Sequence, residues 1–182
     1  MTAQVLDRVL WDGCEFALAG FDGGPLFEPA SYGLEVRAIS SACWRGYHCR
    51  YDVSGGELVL TSLAIGTDSP PDSLFGAAPE KKLGEVRYEP VSVPVPFTGG
   101  LLLGDGFVRE LYVHMGFHPA WKYTDVHELL LESGRLVSHH DRSAAMAEIR
   151  AQHRPLRPGS RAADDIRQWV ESTFDRTYVR PV

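Results

Sequence analysis

The chain predicts a mainly β domain, an antiparallel meander that closes into a barrel and carries one or two helices at its C-terminal end. Three observations carry that prediction. Turn signals rich in glycine recur at short intervals, apolar and charged residues alternate between them, and the spacing of apolar residues becomes helical from residue 142 onward.

The elements follow in chain order. Asp12-Gly13 separates strand-like arms at 4–11 and 14–19, because Asp-Gly supplies the positive φ of a tight hairpin turn. A further strand is expected at 34–41. Ser54-Gly55-Gly56 separates arms at 43–53 and 57–65, and within the first of them Tyr47, Cys49, Tyr51 and Val53 alternate with His48, Arg50 and Asp52. That period of two gives a half-buried strand with its apolar set on one face. Residues 66–84 are rich in Pro, Gly and Ser and read as a long loop, a lid or partner-binding element or else a merely mobile insertion. Residues 85–95 are expected as an edge strand or an irregular wall, since Pro90 and Pro94 cannot donate to a central ladder.

Gly104-Asp105-Gly106 reads as the turn between arms at 97–103 and 107–115, and Ser133-Gly134 as the turn between 124–132 and 135–139. Strong helix formers then occupy 142–154, a Pro- and Gly-containing stop lies at 155–159, and Ser160 is placed to cap a second helix. On that helix Ile166, Trp169, Val170 and Phe174 make one apolar stripe that must pack on something. Closure into a barrel would remove the edges of such a sheet, so a calycin-like barrel is expected, with a two-sheet sandwich as the alternative. The organisation is a barrel core over 1–141 and a helical extension over 142–182 packed on the same domain.

Composition limits the function classes. With 44% hydrophobic and 23% charged residues in 182 the chain fits one soluble globular unit. It has no apolar run near the ~20 residues of a membrane span, and "MTAQVLDRVLWDG" has no apolar core of a signal peptide. A cytoplasmic protein without membrane association is expected. Cys14, Cys43 and Cys49 form no disulfide framework. Residues 1–141 carry a net charge of −9 and residues 142–182 one of +3, so nucleic acid is not an expected partner and the tail is expected to dock on its own acidic body.

At "DGCEFAL", "ACWRGYHCRYDVSGGELVLTSL", "LYVHMGF" and "HELLLESGRLV" the chain resembles a widespread group of small bacterial all-β proteins of unassigned function, marked by W-R-G-Y and Y-V-H-M-G segments. The likeness spans roughly residues 6–139. It implies a barrel-like fold and brings no activity. The chain departs from the pattern after Gly116, where "FHPAWKYTDVHEL" supplies His118, Pro119, Trp121 and His127.

Two kinds of chemistry are candidates. Glu110, Tyr112 and His114 would share one face of a strand, with His114 as general base, Glu110 orienting it and Tyr112 donating to a developing oxyanion. The opposing set is Leu111, Val113 and Met115, and if those face inward the trio faces water. The other candidate is a ligand pocket lined by Trp44, Tyr47, Tyr51, Phe117, Trp121 and Tyr123, with Arg45 as an anchor for a carboxylate and His118 and His127 beside it.

No metal is assigned. His114 and His118 are four apart, a spacing that shares a face on a helix and not across a strand end. Neither a nucleophile elbow nor a phosphate loop is present, so no cofactor is expected. The expected function is a binding module for a small apolar molecule or a partner protein, with a possible homodimer. The alternatives are a cofactor-independent acid-base enzyme and an immunity-type inhibitor.

Overall fold

The computed structural model describes residues 2–152, 163–174 and 176. Its strands are β1 (Arg8–Trp11), β2 (Cys14–Asp22), β3 (Tyr47–Asp52), β4 (Val59–Ile65), β5 (Pro79–Lys82), β6 (Glu85–Tyr88), β7 (Val93–Pro94), β8 (Gly99–Phe107), β9 (Tyr123–Glu132) and β10 (Arg135–Asp141). Two helices follow, α1 (Ser143–Gln152) and α2 (Ala163–Phe174). The chain is therefore mainly β with C-terminal helices, as its pattern predicts.

All ten strands belong to one sheet in the order β10-β9-β8-β2-β1-β3-β4-β6-β5, with β7 paired to β4. The hairpins at Asp12-Gly13 and Ser133-Gly134 form as read, with all four turn residues at positive φ (48° and 76°, 48° and 84°). The sheet is mixed and not a simple meander, because β1 pairs with β3 in parallel, Arg8 beside Arg50 and Leu10 beside Asp52. Nor is it a closed barrel. Its curl brings residues 56–58 against β10 through an isolated Glu57–Arg135 bridge, with Leu58 N–H donating to Gly134 O (2.7 Å) and Leu136 N–H to Gly56 O (2.9 Å).

Three expected segments are corrected. Residues 34–41 run as irregular chain, held by Arg37 N–H to Gly66 O at 2.8 Å. The 66–84 loop contains β5, which forms a hairpin with β6, and is tied down by Phe75 against Tyr32 (5.0 Å between centroids) and by the Tyr88 hydroxyl donating to Pro71 O (2.9 Å). The most consequential correction concerns 97–115. β8 continues straight through Gly104-Asp105-Gly106 and stays paired with β9 down to Phe107 beside Tyr123. Residues 108–122 then leave the sheet through two 3-10 turns, Arg109–Leu111 and Ala120–Lys122. The glycines serve close packing: a β-carbon at Gly104 would stand 2.7 Å from the Tyr123 ring.

The concave side of the sheet is filled by side chains, among them Val9, Leu18, Tyr51, Leu60, Ile65, Leu101 and Leu129. Burying large apolar groups at ~25 cal/mol per Å² supplies the main stabilisation. In β3 and just after it, Cys49, Tyr51 and Val53 face this core, as the alternation predicts. A second, smaller cluster of Ala17, Ala19, Leu102, Ala120, Tyr123 and Val126 lies apart from it, and α1 packs there through Met146. The amphipathic stripe of α2 is only partly covered. Ile166 and Val170 are exposed while Trp169 and Phe174 are half-buried, their rings edge to face at 5.8 Å. His153, Arg154, the stop at 155–159 and the Ser160 cap lie outside the described residues.

Candidate functional site

The residues singled out in the sequence separate into four places. Trp44 stands in solvent at 69% exposure and Tyr51 is a core residue at 2%, so neither belongs to a pocket with the others. Glu110, Tyr112 and His114 do not share a strand face, because β8 has already ended; all three are exposed. The Tyr112 hydroxyl and His114 Nδ1 are 2.9 Å apart at the surface, while Glu110 lines a 560 Å³ cleft with Val108, Leu111, Ala147, Arg150 and Ala151. Arg150 is occupied there, its Nη1 donating to the carbonyls of Trp121 (2.9 Å) and Tyr123 (2.6 Å).

His127 belongs to a third group. Its Nδ1 is 3.2 Å from His139 Nε2 and its Nε2 is 3.0 Å from Asp125 Oδ1, with the Trp11 ring stacked obliquely on both imidazoles. No cluster of three or more metal-ligating side chains occurs among the described residues.

The fourth place is the segment from His118 to Lys122. Pro119 opens the 3-10 turn Ala120–Lys122, closed by Lys122 N–H to Pro119 O (3.1 Å) and anchored by Val108 N–H to Lys122 O (2.9 Å). The turn brings His118 and Lys122, four apart, onto one side. Lys122 Nζ lies 3.4 Å from His118 Nδ1 and 5.3 Å from the ring centroids of both Trp121 and Phe174. The Phe107 and Tyr112 rings pack on His118 at 4.9 and 5.3 Å. Lys122 is 0% exposed, and no ion pair to a carboxylate is found for it among the described residues.

An ammonium in such surroundings loses its hydration and regains only part of it from ring faces. Burial accordingly pushes Lys122 down from 10.5 to about 8. Burial, and then the Lys122 charge, push His118 from 6.5 down to about 4. Near neutral pH, His118 is thus uncharged and accepts from Lys122 at Nδ1, which puts its own proton on Nε2. That Nε2 is buried with no hydrogen-bond partner.

Arg176 reaches back to β2 and to Phe117. Its guanidinium donates to Leu18 O (2.7 Å) and lies 4.6 Å from the Phe117 centroid and 5.4 Å from that of Phe21, and its Nε is buried without a partner. Burial above all pulls its pKa down to about 10, with Asp7 opposing and Arg45 reinforcing the fall. Arg45 is bound to Asp7 through both carboxylate oxygens, and Asp7 Oδ1 also accepts from Cys49 N–H (2.7 Å). Arg45 is therefore already partnered, not a free carboxylate anchor. This neighbourhood sets Arg45 and Arg176 against the carboxylate of Asp7.

Comparison with protein-family models, curated proteins and solved structures yields no match to this chain. The site must be judged on its own chemistry. Sequence reasoning found His118, Trp121, Phe117 and Arg45 but missed Lys122, Asp7 and Arg176. One signal was available. The chain has three lysines against fifteen arginines, two of the lysines adjacent at 81 and 82, so Lys122 stands alone.

Proposed function

We propose that the protein is a binding module for a small molecule with an apolar body and an anionic head, taken up around His118 and Lys122. The single observation behind this reading is a completely buried lysine ammonium with no carboxylate paired to it among the described residues. A buried cation left unpaired is costly. An anion entering beside it would neutralise that charge, and the unpartnered N–H of His118 Nε2 offers a further donor. Trp121, Phe174, Phe107 and Tyr112 would supply the apolar walls. The concave side of the sheet is a less suitable host because leucine, valine and tyrosine side chains already fill it.

The test uses benzoate, benzamide and benzamidine as probes of one shape and three charges. Benzoate should raise the melting temperature of the wild-type chain at pH 7, by an amount that corresponds to about 2.7 kcal/mol when present at 100 times its Kd. Benzamide and benzamidine should not, and Lys122→Met should lose the response. Equal responses to benzoate and benzamide would overturn the anionic reading.

A further inference from the structure

From the enclosure of Lys122 by Trp121, Phe174 and His118, we infer that its amine condenses reversibly with the carbonyl group of a small aromatic or apolar aldehyde or ketone. The inference rests on the small-molecule reading of the same site and adds a covalent step to it.

The choice of residue is the first support. This chain uses arginine fifteen times and lysine three times, yet a lysine occupies this fully buried cationic position. Guanidinium cannot lose its proton in a protein, whereas a desolvated ammonium can, and only the free amine is a nucleophile. The surroundings favour that loss. Among the described residues no carboxylate holds the proton in place, and burial brings the amine close to neutrality at mildly alkaline pH.

The second support is the neighbour. Nitrogen must shed a proton once it has bonded to carbon, and His118 Nδ1 faces it at 3.4 Å as an uncharged acceptor. The Nζ lone pair forms a bond to the carbonyl carbon while the C=O π pair moves to oxygen, and the N–H proton passes through His118 to that alkoxide. The resulting carbinolamine takes one proton from solvent on its hydroxyl, which leaves as water as the nitrogen lone pair forms C=N. The iminium so formed keeps the single positive charge that Lys122 carried.

Access is the third point. Lys122 is covered by the Phe174 ring at the end of α2, which also lies over Gly116, where a β-carbon would come within 2.8 Å of it. Of the α2 side chains described, Thr173 alone is buried, and Ile166 and Val170 are exposed. Entry requires the Phe174 ring to swing aside, while Arg176 two residues later holds the chain to Leu18 O and Phe21 N–H.

The experiment is reductive trapping on the full chain carrying Lys81→Arg and Lys82→Arg, which leaves Lys122 and the α-amine as its reactive amines. Benzaldehyde with cyanoborohydride at pH 7.5 adds one benzyl group to each trapped imine, and a blocked Lys122 yields the tryptic peptide Glu110–Arg135 in place of Glu110–Lys122. Labelling at Lys122 should saturate with aldehyde, be suppressed by benzoate and speed up in Phe174→Ala, while labelling of the α-amine should rise linearly and ignore benzoate. A Lys122 that stays unlabelled, or is labelled without saturation, overturns the inference. If benzoate still stabilises the chain in that case, the anionic binding reading stands without the covalent step. If it does not, both readings fall together.

Discussion

Replacing Lys122 by methionine should make the protein more stable at neutral pH, the opposite of what most changes at a fully buried position do. A pKa lowered from 10.5 to about 8 corresponds, at ~1.4 kcal/mol per pH unit, to about 3 kcal/mol of penalty for carrying the charge inside the fold. The sign follows from proton counting. Between pH 8 and 10.5 the unfolded chain holds a proton at this lysine that the folded chain has released, so wild-type stability from this group rises with pH across that window, and the penalty is complete below it. Methionine keeps the length and volume without the charge. Against the gain stand the lost ring contacts and the His118 Nδ1 acceptor, each worth about 1 kcal/mol. A net gain of about 1–3 kcal/mol at pH 7 should remain. Urea unfolding of both proteins at pH 7 and at pH 10 measures it, and the difference between them cancels the tyrosines and cysteines that also titrate. The advantage should shrink at pH 10. A variant less stable than wild type at pH 7, or an advantage that does not change with pH, would refute the argument.

Two further perturbations test the frame around the site. Asp7→Asn removes the carboxylate that holds Arg45 and Cys49 N–H and leaves buried guanidinium charge uncompensated, so unfolding should become easier by about 3–5 kcal/mol, with part recovered by adding Arg45→Met; the urea midpoint reads both. Gly104→Ala drives a methyl group to 2.7 Å from the Tyr123 ring and should cost about 1–3 kcal/mol by overpacking, seen as a lower melting temperature.

Local rules made much of the sheet legible. Asp12-Gly13 and Ser133-Gly134 are hairpin turns because each joins two strands that pair directly across it, and the alternation in 47–53 gave the buried face of β3 because both its neighbours are sheet strands. The same reasoning failed at Gly104-Asp105-Gly106. There the glycines answer to the neighbouring strand, where Tyr123 and Thr124 crowd any β-carbon, and no window of local sequence reports on a ring twenty residues away. The parity argument for Glu110, Tyr112 and His114 fell with that strand. Closure was illegible for a related reason: the parallel β1–β3 pair depends on the path of residues 23–46, which carry little pattern. Lys122 was hidden because a lysine reads as a surface residue. Its burial comes from the chain folding over it at Phe174, half a hundred residues later.

The position of β1 has a consequence for how the chain is assembled. Its two partners, β2 and β3, lie on either side of it, and the second arrives only after residues 23–46 have looped back. β2 in turn waits for β8 as its other neighbour, and the curl is pinned only when residues 134–136 reach 56–58. Most of the stabilising pairings therefore join distant parts of the chain, which raises the loop-closure cost before any reward and slows folding. Until β8 and β9 have been made, the outer edge of β2, with Phe21 at its end, stands unpaired. A nascent or truncated chain that stops short of residue 136 offers that edge to other chains, so aggregation during synthesis is the failure to which this topology is most exposed.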